Sequence, residues 1–137
     1  MVNVSGPSCF QRSLSLDVSE LAAARQQLSA FLHDLDLQRE VVDSVLLCVQ
    51  EACKNAIRFS GSQRDIDVTV AVTSREVRLV IRDHGMGFKP PEVDISRTPD
   101  LSDQQGRGLF LIHCLMDEVR IACDDGAIVT ARKAVTH

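Results

Sequence analysis

Between residues 38 and 81 the hydrophobic pattern changes its period once, and that change limits the folds open to the chain. Across residues 38–59 the apolar positions Val41, Val42, Val45, Leu46, Val49, Ala52, Cys53, Ala56 and Ile57 recur every three or four residues. This spacing gathers side chains on one side of an α-helix. Ser60-Gly61-Ser62 then supplies a helix stop, and the period becomes two. Ile66, Val68, Val70 and Val72 alternate with Asp65, Asp67, Thr69 and Ala71, and Val77, Leu79 and Ile81 repeat the pattern beyond a short Thr73-Ser74 turn. Such neighbours predict an antiparallel strand pair with one apolar face. Neither the helix nor the hairpin can bury its apolar side alone, so both belong to one core: a sheet with helices over one face.

The flanking segments extend this arrangement. Residues 1–9, with Gly6 and Pro7, are expected to be irregular, and the loose alternation of Phe10, Arg12, Leu14 and Leu16 predicts a strand over residues 10–16. Asp17 or Ser19 caps a helix whose packing side is Val18, Leu21, Ala22, Arg25, Leu28, Leu32 and Leu35. Leu109, Phe110, Ile112, His113 and Met116 mark a further helix, preceded by Gly106-Arg107-Gly108. Two last strands fit residues 119–123 and 127–132, joined by the turn Asp124-Asp125-Gly126. Residues 89–105 contain Pro90, Pro91 and Pro99 and cannot form one uninterrupted helix or a central strand.

The 137 residues suit one domain spanning 1–137, and a hydrophobic fraction of 45% supports a substantial core. With 15 basic and 19 acidic residues the formal charge is -4. This argues against a dominant nucleic-acid surface or a polybasic membrane anchor. The five cysteines, at 9, 48, 53, 114 and 123, lack the short paired spacings of a zinc site or a secreted disulfide framework, so reduced thiols are expected. No apolar run reaches the roughly eighteen residues of a membrane span, and residues 1–10 lack the basic-then-apolar order of a secretory signal. A cytoplasmic protein with no direct nucleic-acid or membrane contact is the expectation.

Three polar stations interrupt the core patterns: Glu51 with Asn55 on the helix, Asp83-His84-Gly85-Met86-Gly87-Phe88 after a strand, and Gly106-Arg107-Gly108 at a helix start. A four-residue separation turns a helix by about 400°, which leaves Glu51 and Asn55 on nearly one side. A glycine-rich strand end lets a ligand approach the backbone, and helix-start amides suit a phosphate. Singly, each station also reads as ordinary structure: a solvated helix face, a strand-ending turn, a helix cap. Their order together favours nucleotide binding. His33, His113 and His137 form no metal-ligand constellation, Cys48 and Cys53 are not a CxxC pair, and no ordered motif supports a serine–histidine–acid triad. His84 lies beside the proposed pocket, but its neighbours account for nucleotide recognition without it.

Through Glu51-Ala52-Cys53-Lys54-Asn55-Ala56-Ile57, Asp83 to Phe88, Gly106-Arg107-Gly108-Leu109-Phe110-Leu111-Ile112 and Leu115-Met116-Asp117-Glu118-Val119, the sequence resembles the RsbW/SpoIIAB-like anti-sigma-factor serine kinases of the GHKL ATPase superfamily. The resemblance runs over residues 14–133. It implies an α/β fold: a two-layer Bergerat-type ATP-binding sandwich with a mixed, mainly antiparallel sheet covered on one face by helices. Residues 89–105 would be the ATP lid. ATP and magnesium are the implied cofactors, with Asn55 as the magnesium ligand and Glu51 as general base for the incoming serine hydroxyl. Asp83 would read the adenine amino edge, and Gly85 and Gly87 would let the loop approach the nucleotide. Gly106 and Gly108 would form a phosphate-contacting hinge, with Arg107 either touching a phosphate or solvated in the lid. The implied activity is phosphorylation of a STAS-domain anti-sigma-factor antagonist by a homodimer that also binds a sigma factor. One departure is Phe59, where many relatives have a histidine. Three other readings stay open: a non-catalytic ATP-binding regulatory module, a detached ATP-binding domain of a histidine-kinase-like protein, and a structural interaction domain. The second of these lacks its phosphoacceptor helix pair here.

Overall fold

The computed structural model describes residues 8–15, 17–59, 65–84, 104–123 and 126–135, with the side chains of residues 59, 104–107 and 123 outside that description. In chain order the elements are β1 (Ser8–Leu14), α1 (Val18–His33), α2 (Arg39–Phe59), β2 (Ile66–Val72), β3 (Glu76–Arg82), α3 (Gln104–Leu115), β4 (Glu118–Cys123) and β5 (Ala127–Ala134). The strands form one sheet in the order β1-β2-β3-β5-β4, and every neighbouring pair is antiparallel. Register places Val70 opposite Leu79 and Leu79 opposite Ala131, while Val68 faces Ile81 and Ile81 faces Val129. These rows are buried, and α2 lies over β2, β3 and β5 with α1 and α3 packed at its sides. Strand alternation thus puts the apolar rows against the helices and leaves the other side of the sheet uncovered by them.

The long helix and the central hairpin match their sequence patterns almost residue for residue, whereas the flanks differ. β1 begins at Ser8, because it pairs along all of β2 from Ser8 opposite Val72 to Leu14 opposite Ile66. Residues 8 and 9 are therefore strand rather than irregular start. Leu16 lies outside the described residues, as do residues 1–7. In α1 the Asp17 carboxylate accepts a hydrogen bond from Ser19 N at 2.8 Å, as expected of the N-cap. Its buried stripe is Leu21, Ala24, Leu28 and Leu32, while Val18 and Ala22 are exposed. The strongly apolar leucines set the rotation of the helix, and Val18 sits in its first turn. Leu35 lies beyond the end of α1, followed by Asp36 at φ 54°.

α3 begins at Gln104, inside the interval expected to be irregular, so Gly106 and Gly108 sit in its first turns rather than before it. The rest of the proposed lid, residues 89–103, lies outside the described residues. β5 runs two residues past its expected end because Lys133 and Ala134 pair with Val77 and Glu76. Cys48 and Cys53 are buried free thiols under the sheet, and Cys9 and Cys114 are exposed free thiols. Among the described residues no helix is long and apolar enough to cross a membrane.

Candidate nucleotide site

The stripe that seats α2 in the core, including Val45, Val49, Ala52 and Ala56, leaves Glu51 and Asn55 together on the flank that meets α3. Asn55 is 9% exposed, and the Glu51 side chain is 15% exposed. Gly108 brings the backbone of α3 against both. A Cβ placed there would stand 3.1 Å from Glu51 Oε2, 3.4 Å from Asn55 Nδ2 and 3.5 Å from Asn55 Oδ1. Glycine inside a helix is ordinarily unfavourable, and here its bare Cα permits the close approach of carboxylate, amide and helix start. Lys54 Nζ lies 3.7 Å from Glu51 Oε1, a half-exposed ion pair of small energetic weight that still biases the direction of the carboxylate. Val18, Glu51, Lys54, Asn55, Gly108 and Leu111 are among the lining of a cleft of about 500 Å³.

A second cluster forms at the end of β3. Asp83 continues the core-facing alternation of Val77, Leu79 and Ile81 and is 4% exposed. A buried carboxylate needs polar partners. Ala127 N donates to Asp83 Oδ1 at 3.0 Å, and Asp83 N donates to the Ala127 carbonyl at 3.0 Å. Gly126 closes over the same residue with φ +117°, and a Cβ there would lie 2.2 Å from the Asp83 carbonyl oxygen. That backbone conformation and that spacing both demand glycine. From sequence, Gly126 is legible only as a hairpin-turn glycine. The sign of its second role is register: with Arg82 opposite Ile128, the residues after Arg82 must meet those before Ile128.

Of the eight residues expected at the site, the structure brings Glu51, Asn55 and Gly108 together along one cleft. Gly106 and Arg107 lie in the first turn of α3, with the Arg107 side chain outside the described residues. Asp83 is not among the described residues that line the Glu51–Asn55 cleft. It belongs to the same layer interface, because α2 packs on both β3 and β5. Gly85 and Gly87 lie outside the described residues, and so does the Phe59 side chain. His84 pairs with Asp67 instead of entering the cleft, Nε2 to Oδ2 at 2.8 Å.

Among the described residues no group of three or more histidine, cysteine or acidic side chains converges on a point. Magnesium needs no such cage, since it is commonly held by one or two protein oxygens together with phosphates and water. Asn55 Oδ1, with the Glu51 carboxylate near it and the space left by Gly108, fits that hard-oxygen requirement. The two cysteines of α2 do not suit nucleophilic chemistry. Burial pushes the thiols of Cys48 and Cys53 up to about 12, with the neighbouring Cys53 adding to the effect at Cys48.

The family model of the histidine kinase-like ATPase domain matches residues 14–133. The serine-protein kinase RsbW of Bacillus thuringiensis (strain Al Hakam) is 22% identical over 124 residues, covering 84% of this chain and 78% of that protein. Its counterpart from Bacillus cereus (strain ATCC 10987 / NRS 248) is 23% identical with the same coverage. Among solved structures, the RsbU and RsbW domains of a Mycobacterium tuberculosis protein superpose with a TM-score of 0.74 at 17% identity, over 95% of this chain and 33% of that one. The histidine kinase domain of the Erythrobacter litoralis blue-light activated histidine kinase gives a TM-score of 0.53 at 19% identity, over 82% of this chain and 60% of that one. The chain thus spans a third of the first solved chain and three fifths of the second. The antiparallel sheet with helices on one face is the Bergerat-type ATP-binding fold. With a matching family model over most of its length, the chain belongs to the histidine kinase-like ATPase domain family of the GHKL superfamily, where it is similar to the RsbW-type kinases.

Proposed function

We propose that the protein is an ATP-dependent anti-sigma-factor serine kinase that transfers the γ-phosphoryl group of ATP to a serine of a STAS-domain antagonist. The observation that carries this reading is the meeting of Glu51, Asn55 and the bare backbone of Gly108 in one cleft. Asn55 would hold magnesium, which when bound neutralises phosphate charge and orients the transferred group. Glu51 accepts the proton of the serine hydroxyl as its oxygen bonds to phosphorus and ADP departs. The partial exposure of its carboxylate lets an acceptor reach it. Asp83 reads the adenine amino edge, with Gly85 and Gly87 carrying the loop close to the nucleotide. Gly106 and Gly108 present the start of α3 to the phosphates, and Arg107 contributes charge there.

Family resemblance together with the length and character of the sequence supports the rest. Residues 1–137 form one domain, with 89–105 as the lid that excludes water during transfer. The protein acts in the cytoplasm as a homodimer that binds a sigma factor. The added phosphate, carrying about -1.5 to -2 charges, weakens the antagonist's competing interaction. A groove of about 590 Å³ between α1 and α2 shares Val18 and Lys54 with the cleft and gives an acceptor segment a route to Glu51.

The test is incubation with magnesium-ATP and serine-bearing antagonists, with the phosphate located by mass spectrometry. Glu51→Gln should slow transfer by about 10²- to 10⁴-fold while ATP binding by calorimetry persists. Unchanged transfer would reject the base role. ATP binding by the natural sequence without transfer to any antagonist would favour the non-catalytic regulatory module.

A further inference from the structure

Ser13, Asp67 and His84 come from different segments yet form one hydrogen-bonded chain on the side of the sheet away from the helices. Ser13 Oγ of β1 donates to Asp67 Oδ1 at 2.6 Å, and Asp67 of β2 holds His84 Nε2 on its other oxygen at 2.8 Å. Register explains the meeting. Ser13 stands opposite Asp67, Asp67 stands opposite Arg82, and His84, two residues past Arg82, lies on the diagonal that a long side chain can span. The Asp67 carboxyl is held below the usual range, first by the Ser13 bond and then by the His84 bond, with the Arg82 charge a smaller cause. Asp67, bonded on one oxygen to Ser13 and on the other to His84, is thus the joint of the cluster.

This joint stands at a particular place in the backbone. The β2–β3 ladder ends at the Asp67–Arg82 pair, and the glycine-rich motif resumes at Gly85. Asp83 is secured on the β5 side by Ala127 and Gly126. On the β2 side, the hydrogen bond between His84 and Asp67 ties down the residue that follows it. Successive side chains along extended backbone point to opposite faces. Fixing His84 on the open face therefore sets the rotation with which Asp83 is presented to the helix layer. The His84 side chain is 16% exposed and that of Asp67 48%, so the anchor is the solvent-reachable member.

We infer that Asp67 and His84 are positioning residues for Asp83, fixing the strand end at which the adenine edge is read. The inference rests on the nucleotide-binding reading above. The full chain is tested by calorimetry with ATP and with ADP, alongside melting temperatures. His84→Ala and Asp67→Ala should each weaken both nucleotides equally, by about three- to tenfold, since the adenine end is common to them, and leave kcat within about twofold. The double variant should be no worse than either single one, as expected for groups acting through one contact. Asp67→Asn should bind nearly as the natural sequence does, because an asparagine keeps an oxygen for Ser13 and an N–H for a ring nitrogen of His84. If Asp67→Ala does not fold, His84→Ala against His84→Gln carries the comparison, since glutamine retains an N–H for Asp67. Asp83→Asn is measured in parallel. If it loses ATP while His84→Ala binds normally, or if the single losses add, the positioning inference fails and the nucleotide reading stands. If Asp83→Asn leaves ATP binding unchanged, the nucleotide reading fails and takes the inference with it.

Discussion

Replacing Gly108 by alanine separates the chemistry of the cleft from the stability of the fold. In an unobstructed helix this change stabilises by about 1 kcal/mol, through lower unfolded-chain entropy and better helix propensity. Here the added methyl carbon would lie 3.1 Å from Glu51 Oε2 and 3.4 to 3.5 Å from the two polar atoms of the Asn55 amide. Non-bonded carbon atoms settle at about 3.5–4.0 Å. The Asn55 contacts are near ordinary, whereas Glu51 must retreat by a few tenths of an ångström. The group that yields is the free end of a side chain, so the propensity gain and the crowding cost should nearly cancel. The melting temperature is expected to move by no more than about 5 °C, the equivalent of roughly 1 kcal/mol in a domain of this size. Transfer is less forgiving, because misplacing reacting groups by about 1 Å can cost about 10²-fold. We expect Gly108→Ala to retain ATP binding and to transfer phosphate about ten- to a hundredfold more slowly, measured by single-turnover mass spectrometry beside thermal melts. Transfer at the natural rate in a folded, ATP-binding variant would refute the claim that this gap is part of the catalytic geometry. A melting loss above about 10 °C would refute the claim that a side chain, rather than backbone, gives way.

Gly126→Ala should behave in the opposite manner. Its Cβ would stand 2.2 Å from a backbone oxygen at φ +117°, so a loss of roughly 2–4 kcal/mol is expected in urea unfolding, and an unchanged midpoint would contradict that packing. At pH 8 a thiol reagent should label Cys9 and Cys114 in the native protein and reach buried Cys48 and Cys53 only on unfolding; mass spectrometry locates the label, and early modification of Cys48 or Cys53 would count against their burial. Because the folded thiols of Cys48 and Cys53 are raised to about 12 from 9.0, their contribution is fully present below pH 9 and stability should fall as pH rises above it. The folded Asp67 carboxyl is lowered from 3.8, so its contribution is present above pH 3.8 and lost as pH falls through the lower folded value. Urea midpoints of Asp67→Asn should therefore depend less on pH below 3.8 than those of the natural sequence, and parallel curves would refute this.

Legibility in the sequence followed the range of the forces involved. The α2 stripe and the alternation from Ile66 to Ile81 are repeated local signals, and both elements stand where those signals put them. In α1 the signal was ambiguous, because apolar Val18 and Ala22 flank a stripe that Leu21, Ala24, Leu28 and Leu32 complete. The starts of β1 and α3 depended on partners far along the chain: β2 for Ser8 and the Glu51–Asn55 surface of α2 for the helix around Gly108. Glycines read locally as breakers, and nothing local reveals that Gly108 lies inside a helix. Glu51 and Asn55 were legible through their four-residue spacing. The clamp of Gly126 on Asp83 was not, since it joins residues more than forty positions apart and appears only when strand register is known.

The strand order has a consequence for how the protein comes into being. β3 is flanked by β2, a close neighbour along the chain, and by β5, which lies far along it. Asp83 can acquire its amide from Ala127 only after the β5 segment has docked on β3, a closure over a long intervening segment that is slow compared with a local hairpin. A chain extended only as far as Gly126 therefore carries Glu51 and Asn55 while Asp83 still lacks the amide that Ala127 supplies.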